Sequence, residues 1–207
     1  MTNRLREAVI LERKFPKQER ARVTREAIFE AAARIIEERG SRALNTNAIA
    51  ARAGISIGTL YGHFASKDAI LVSMARVRLE RDGVAVLQEF VKEVDPGTSR
   101  TRLAVRALID LHLTRPEVRR VVMRAHAAHG LGPERAALLS HVSLKIAAVR
   151  AWADNRRSQE AVLFVATRAV AGIVRAAFEE TSTLLGTPEF ENELTDMVER
   201  SLVLAGR

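Results

Sequence analysis

Tyr61, His63 and Lys67 follow closely on the run Ser56-Ile57-Gly58-Thr59-Leu60, which carries no charge and is small apart from its two apolar anchors. A phenol hydroxyl, an imidazole and an ammonium suit phosphate oxygens, contacts that position a nucleic acid without reading it. Lys67 also opens a predicted helix, where free N–H groups add to anion attraction. At about 100° per residue, 57–64 turn Ile57, Leu60 and Phe64 to the buried side and Thr59 and Gly62 opposite, with Ser56, Gly58 and His63 flanking. Such a face fits a major groove, where hydroxyls meet base edges and the Thr methyl meets a thymine methyl. Asn47, one helix earlier, has the amide that pairs with adenine. The expected base readers are therefore Asn47, Ser56, Gly58, Thr59 and Gly62. Tyr61, His63 and Lys67, with Arg20 and Arg22 from the basic N-terminal segment, are the expected phosphate contacts.

Two short helices must hold these side chains. Asn45 caps one ending near Ala53, and Ser56 caps one ending near Phe64. They can cross steeply over a short turn because Ala50 is small and Gly54 accepts positive φ. Ile49, Ala53, Ile55, Leu60 and Phe64 supply the apolar wedge. A helix from about Arg22 to Arg39, with Ile28, Ala31, Ala32, Ile35 and Ile36 on one stripe and Gly40 as its stop, completes the trio. Ser66 caps a long helix reaching about Val94, broken by Asp95-Pro96-Gly97. Helical periodicity then recurs near 100–114, 116–128, 133–153, 158–184 and 188–204, with Pro116, Pro133 and Pro188 in first turns. The prediction is an all-α chain of about nine helices.

The net charge of +8 over 207 residues favours a polyanionic partner. Within residues 1–25, eight basic side chains (Arg4, Arg6, Arg13, Lys14, Lys17, Arg20, Arg22, Arg25) stand against three acidic ones (Glu7, Glu12, Glu19), so +5 of the charge lies there. With Pro16 among them, residues 1–20 read as a flexible basic arm, whose Arg13, Lys14, Lys17, Arg20 and Arg22 either reach DNA or stay solvated. Zero cysteines exclude disulfides and thiolate chemistry. No uninterrupted apolar run of about 18 residues appears, so no membrane partner is expected, and a cytoplasmic, nucleoid-associated location is.

Residues 22–70 resemble the DNA-binding domain of the TetR family of bacterial transcriptional regulators. The resemblance rests on the Ala-Ala of the first helix with Gly40, Ile49-Ala50, Ala53-Gly54-Ile55-Ser56, Gly58-Thr59-Leu60-Tyr61, His63-Phe64 and Ser66-Lys67-Asp68-Ala69. Gly62, Asn47 and Ala48 depart from the family pattern, where Arg or another polar residue, Arg and an acidic cap partner are common. The resemblance implies a helix-turn-helix domain at 21–66 and a helical effector-binding and dimerisation domain at 67–207. It also implies a homodimer on a two-fold operator, and a repressor released by a small molecule through a shift of the helix from Ser66.

In the C-terminal half, Ala161, Val165, Ala169, Gly172 and Ala176 form a small-residue stripe, expected to meet a second copy together with Phe190, Leu194, Val198 and Leu202. The alternative is packing within the chain. Arg168 and Arg175 share a face with Phe164. Either they pair with acids and snorkel, or they join Met123, His126 and Trp152 in an effector pocket. His126 and His129 share a face, but without neighbouring acids or Cys they read as pocket wall or surface, so neither metal nor cofactor is expected. Rival readings are a ligand-free activator or architectural protein, a helical hairpin that binds nothing, and a helical ligand-binding or metal-dependent enzyme. The last lacks any nucleophile and base at recognisable spacing.

Overall fold

A computed structural model describes the backbone of residues 3–95, 97–149 and 156–204, and the side chains of 18–95, 97–148 and 159–202. Among the described residues there are nine α-helices, one 3₁₀ turn and no strand. In order they are α1 (Asn3–Arg39), a 3₁₀ turn (Ser41–Ala43), α2 (Thr46–Ala53), α3 (Ile57–His63), α4 (Lys67–Val91), α5 (Arg100–Leu113), α6 (Pro116–Ala128), α7 (Gly132–Val149), α8 (Arg156–Glu179) and α9 (Pro188–Leu204). Contacts divide the chain between Met74 and Ala75, inside α4 rather than ahead of it at residue 67.

The first unit is built by its caps and small residues. The Asn45 side chain accepts the Ala48 N–H at 2.9 Å, Ser56 accepts Thr59 N–H at 2.9 Å, and Ser66 accepts Ala69 N–H at 3.1 Å. Each satisfies a donor that the start of a helix leaves without a partner. Gly54 ends α2 in the left-handed region at φ 67. With the turn so fixed, Ile28, Ala32, Ile49 and Leu60 are fully enclosed, Ala50 and Phe64 are buried, and the Phe29 and Phe64 rings lie 5.7 Å apart. Ile70, Leu71 and Met74, the opening of α4, are buried too, which is why the boundary falls after them.

Two expectations change here. The basic segment is not a separate arm: α1 continues back to Asn3, in keeping with the Leu, Arg, Glu, Lys and Gln that fill it, and runs through Pro16. Ile57, predicted on the buried side, is 38% exposed. It is the first residue of a seven-residue helix, and the inward line begins one turn later at Leu60.

The second unit packs α5, α7, α8 and α9 against one another. Val105, Ile109, Val174 and Leu194 form one cluster, and Leu163, Ala166, Val198 and Leu202 another. Leu194, Val198 and Leu202 are thus core residues of their own chain, and Phe190 packs on the first cluster. This corrects their assignment to a surface for a second copy: the exposed side of α9 is Glu189, Asn192, Glu193, Asp196 and Arg200, which is polar. α8 stops at Glu179 because Thr181 takes φ 55 and Ser182 N–H bonds back to Ala177 O at 2.9 Å. By length and composition Gln159–Glu179 is apolar enough to cross a membrane. Leu163, Ala166, Val174, Ala177 and Phe178 on one side of it are buried within this unit.

Candidate nucleic-acid interface and ligand cavity

The structure leaves Asn47, Ser56, Gly58, Thr59 and Gly62 all exposed, the last three on α3 and Ser56 at its N-cap. Ser56 Oγ holds the cap and also lies 2.8 Å from Thr59 Oγ1, so the two hydroxyls share a proton contact. Neither glycine is demanded by packing. A Cβ at Gly62 would meet nothing within 4 Å, and one at Gly58 only Ser56 Oγ at 3.7 Å. Glycine in a helix costs up to about 1 kcal/mol relative to Ala, so two of them on one exposed face weaken α3 with no return inside the protein. Both positions leave the backbone of α3 open to close approach.

Around that face, Tyr61 is 53% exposed, with its hydroxyl 3.2 Å from Thr46 Oγ1. His63 is half-buried beside the Phe64 ring, and Lys67 is exposed at the first position of α4. Arg20 is exposed. Arg22 is exposed as well, but its guanidinium bonds Glu19 and Glu26 on the same helix, which push its pKa up. A phosphate there would have to displace two carboxylates. The side chains of Arg13, Lys14 and Lys17 lie outside the described residues. Sequence reasoning missed Ile57, whose exposed side chain adds an apolar contact to the face.

Separately, the second unit holds a cavity of about 220 Å³, partly open to solvent and lined from α4 to α9. Met123, His126 and Arg175 are among the residues that line it. Phe164 and Arg168 do not: Phe164 is 55% exposed and the Arg168 guanidinium stacks on its ring at 3.7 Å while bonding Ser140. They lie toward the other side of α8, because a step of four from Arg168 does not return to the line that Leu163, Ala166 and Val170 set toward the cavity. Trp152 falls outside the described residues.

The cavity has a charged end that sequence reasoning missed: Arg78, Asp82, His112, Arg119 and Arg135 line it too. The signal was legible. Asp82 interrupts the stripe Ala75, Leu79, Val86, and Arg119 shares a face with Val122 and His126, so both charges sit where apolar residues belong. Arg119 has a side chain only 5% exposed. Its Nη2 is ion-paired with Asp82 Oδ2 at 2.9 Å in an arrangement poorly aligned for a hydrogen bond, and Nε has no partner. Arg78 donates from Nη2 to Thr114 O at 3.0 Å, and its Nε is also buried without a partner. Burial, then the neighbouring Arg119 charge, pushes the Arg78 pKa down; burial does the same to Arg119 against the pull of Asp82. Burial raises Asp82. His112 is pushed down to about 4 by burial and then by Arg119, and its Nδ1 lies 2.8 Å from Leu108 O, so the neutral ring donates that proton to the carbonyl. His126 is lowered by burial, then by Arg135 and Arg175, and its Nε2 is buried without a partner.

Residues 19–74 match the family model described as bacterial regulatory proteins, tetR family. No curated protein matches the sequence. Among solved structures, a putative TetR-family transcriptional regulator from Mesorhizobium loti is 18% identical over 89% of this chain and 98% of its own, with a TM-score of 0.65. A TetR-family regulator from Streptomyces coelicolor is 22% identical over 88% and 99%, with a TM-score of 0.55. The multidrug binding protein EbrR complexed with ethidium is 20% identical over 86% and 97%, with a TM-score of 0.53. The exposed helix pair, the family match over it and these neighbours agree: the chain carries a tetR-family DNA-binding helix-turn-helix domain on the all-helical fold of solved TetR-family transcription regulators.

Proposed function

We propose that this protein is a homodimeric repressor that binds a two-fold DNA operator through α3 and Asn47 and is released when a small molecule fills the cavity of the second unit. The observation that carries the reading is an uncharged, glycine-bearing α3 face ringed by Tyr61, His63 and Lys67. Thr59, Asn47 and the exposed Ile57 read bases. Ser56 is largely spent on its cap, and Gly58 and Gly62 admit close approach. Tyr61, His63 and Lys67 fix the register on phosphates, with Arg20 in support and Arg22 as a weaker contributor. Such a protein works beside the chromosome, in the bacterial cytoplasm.

The ligand half draws support from the cavity and from EbrR, whose structures hold imidazole and ethidium. α4 runs from Lys67 to Val91 and carries both a phosphate contact and cavity residues, which makes it the segment through which occupancy reaches the reading head. The effector must favour the DNA-incompetent state; a preference of about 100-fold supplies roughly 2.7 kcal/mol of coupling. For the dimer, Ala161, Val165, Gly172 and Ala176 are exposed and Ala169 is half-buried, with Phe164 and Ile173 exposed beside them. This α8 face is the proposed contact between copies, without the buried α9 residues.

The test is fluorescence anisotropy of the full chain on inverted-repeat DNA from the region upstream of its gene, at two salt concentrations. Binding should weaken steeply with salt, because phosphate contacts release counterions. Absence of binding even at low salt sinks the regulator reading.

A further inference from the structure

The cavity is polar at one end only. On α4, Arg78 and Asp82 line one end, while Phe90, about 18 Å further along the helix at 1.5 Å per residue, lines the other. α8 runs the same contrast in reverse, with Leu163 at one end of its lining and Arg175 at the other. Next to Arg78 and Asp82 stands Arg119, and Arg135 and Arg175 line the cavity as well, Arg175 bonded to Glu179, so positive charge exceeds negative there. Buried charges without a counter-ion are costly, and an ion that supplies the missing charge gains what the protein lacks.

We propose that the cavity is the receptor for an amphiphilic monocarboxylate, its carboxylate seated on the Arg78–Arg119 end and its apolar tail between α7, α8 and α9; this rests on the reading of the second unit as the ligand-binding part. The two buried Arg119 atoms without a hydrogen bond, Nε and Nη2, form one edge of the guanidinium. That edge presents two parallel N–H groups to the two oxygens of a planar carboxylate. Asp82 Oδ2, 2.9 Å from Nη2, already shows that a carboxylate oxygen can sit beside this edge. Asp82 is the internal competitor for Arg119, and the ligand takes over the contact it fills poorly. Neutral His112 and the lowered His126 leave the count of charges unchanged near pH 7.

Isothermal titration of the full chain with decanoate, decan-1-ol, decyl phosphate and decyltrimethylammonium, each below its micellar concentration, tests the assignment. Decanoate is expected to bind at least about tenfold more tightly than the alcohol, as a charge-assisted hydrogen bond requires, and the cation not at all. Arg119→Leu should abolish the preference for decanoate over decanol. Asp82→Asn, which keeps the shape and removes the competing anion, should tighten decanoate severalfold and leave decanol unchanged. Decanol or the cation binding as well as decanoate overturns the carboxylate receptor, as does tighter binding of decyl phosphate, decanoate affinity unaltered in both variants, or no heat with any probe. Operator binding is measured separately, so its loss would remove the regulator reading without touching these outcomes.

Discussion

Thr59 and Lys67 stand only eight positions apart, yet their loss should read out differently. Lys67→Ala removes a phosphate contact and should weaken binding alike for every operator variant while flattening the salt slope; Thr59→Ala should reorder the variants. An unchanged ranking with Thr59→Ala would show that bases are read from elsewhere, and Asn47 and Ile57 are the next to test. Ser56→Ala should act through its cap, costing about 1 kcal/mol of stability with little change in ranking. In the second unit, His112 has a proton affinity lowered from 6.5 to about 4 by burial and by the Arg119, Arg78 and Arg175 charges. Between those values the unfolded chain binds a proton that the folded one refuses. Stability is therefore lost as pH falls from about 6.5 to 4, by at most about 3 kcal/mol. Asp82, raised by burial, acts in the other sense, since its penalty is relieved on protonation. Urea unfolding of wild type and His112→Gln at neutral pH and at pH near 4.5 isolates the histidine: the variant should lose less on acidification, and parallel losses would contradict its buried, neutral state.

At the scale of elements, the short helices were legible because their signals are local: Asn45, Ser56 and Ser66 each cap where their types predict, and Gly54 turns where only glycine is at ease. Gly54→Ala should cost about 1 kcal/mol from backbone strain alone, since no atom lies within 4 Å of the added methyl. Gly62→Ala should go the other way, stabilising the fold by up to about 1 kcal/mol while weakening operator binding, and thermal melts beside anisotropy separate the two. A gain in both would show that α3 does not approach DNA closely at that point. The helices of the second unit were placed in the sequence, but their facing was not. Periodicity does not say whether the apolar side of a helix meets its own chain or a second copy, so Leu194, Val198 and Leu202 fit either reading in the sequence, and their packing against α5 and α8 decides. For the charged end of the cavity, Asp82 on α4 and Arg119 on α6 each interrupt an apolar stripe in the sequence, but only packing shows that they meet.

For the whole molecule, the proposed dimerisation through α8 would give operator binding its strength, because a second reading head tethered to the first binds at high effective concentration. Val165→Asp, placed on an exposed position 62% open to solvent, should yield a folded monomer by sedimentation with operator affinity reduced about 100-fold or more. A Val165→Asp protein that stays dimeric would move the interface away from this helix. α8 faces two ways: Leu163, Ala166, Thr167, Val170 and Arg175 line the cavity, while Ala161, Val165, Gly172 and Ala176 look outward. In the proposed dimer a ligand on one side and a subunit on the other bear on the same helix, and if both favour one position of it their binding free energies are reciprocally linked. The ligand's apparent affinity should consequently depend on how much protein is in the tube, differing between dilute solutions where subunits separate and concentrated ones where they pair. The cell's own level of this protein would thereby set the ligand concentration to which it responds.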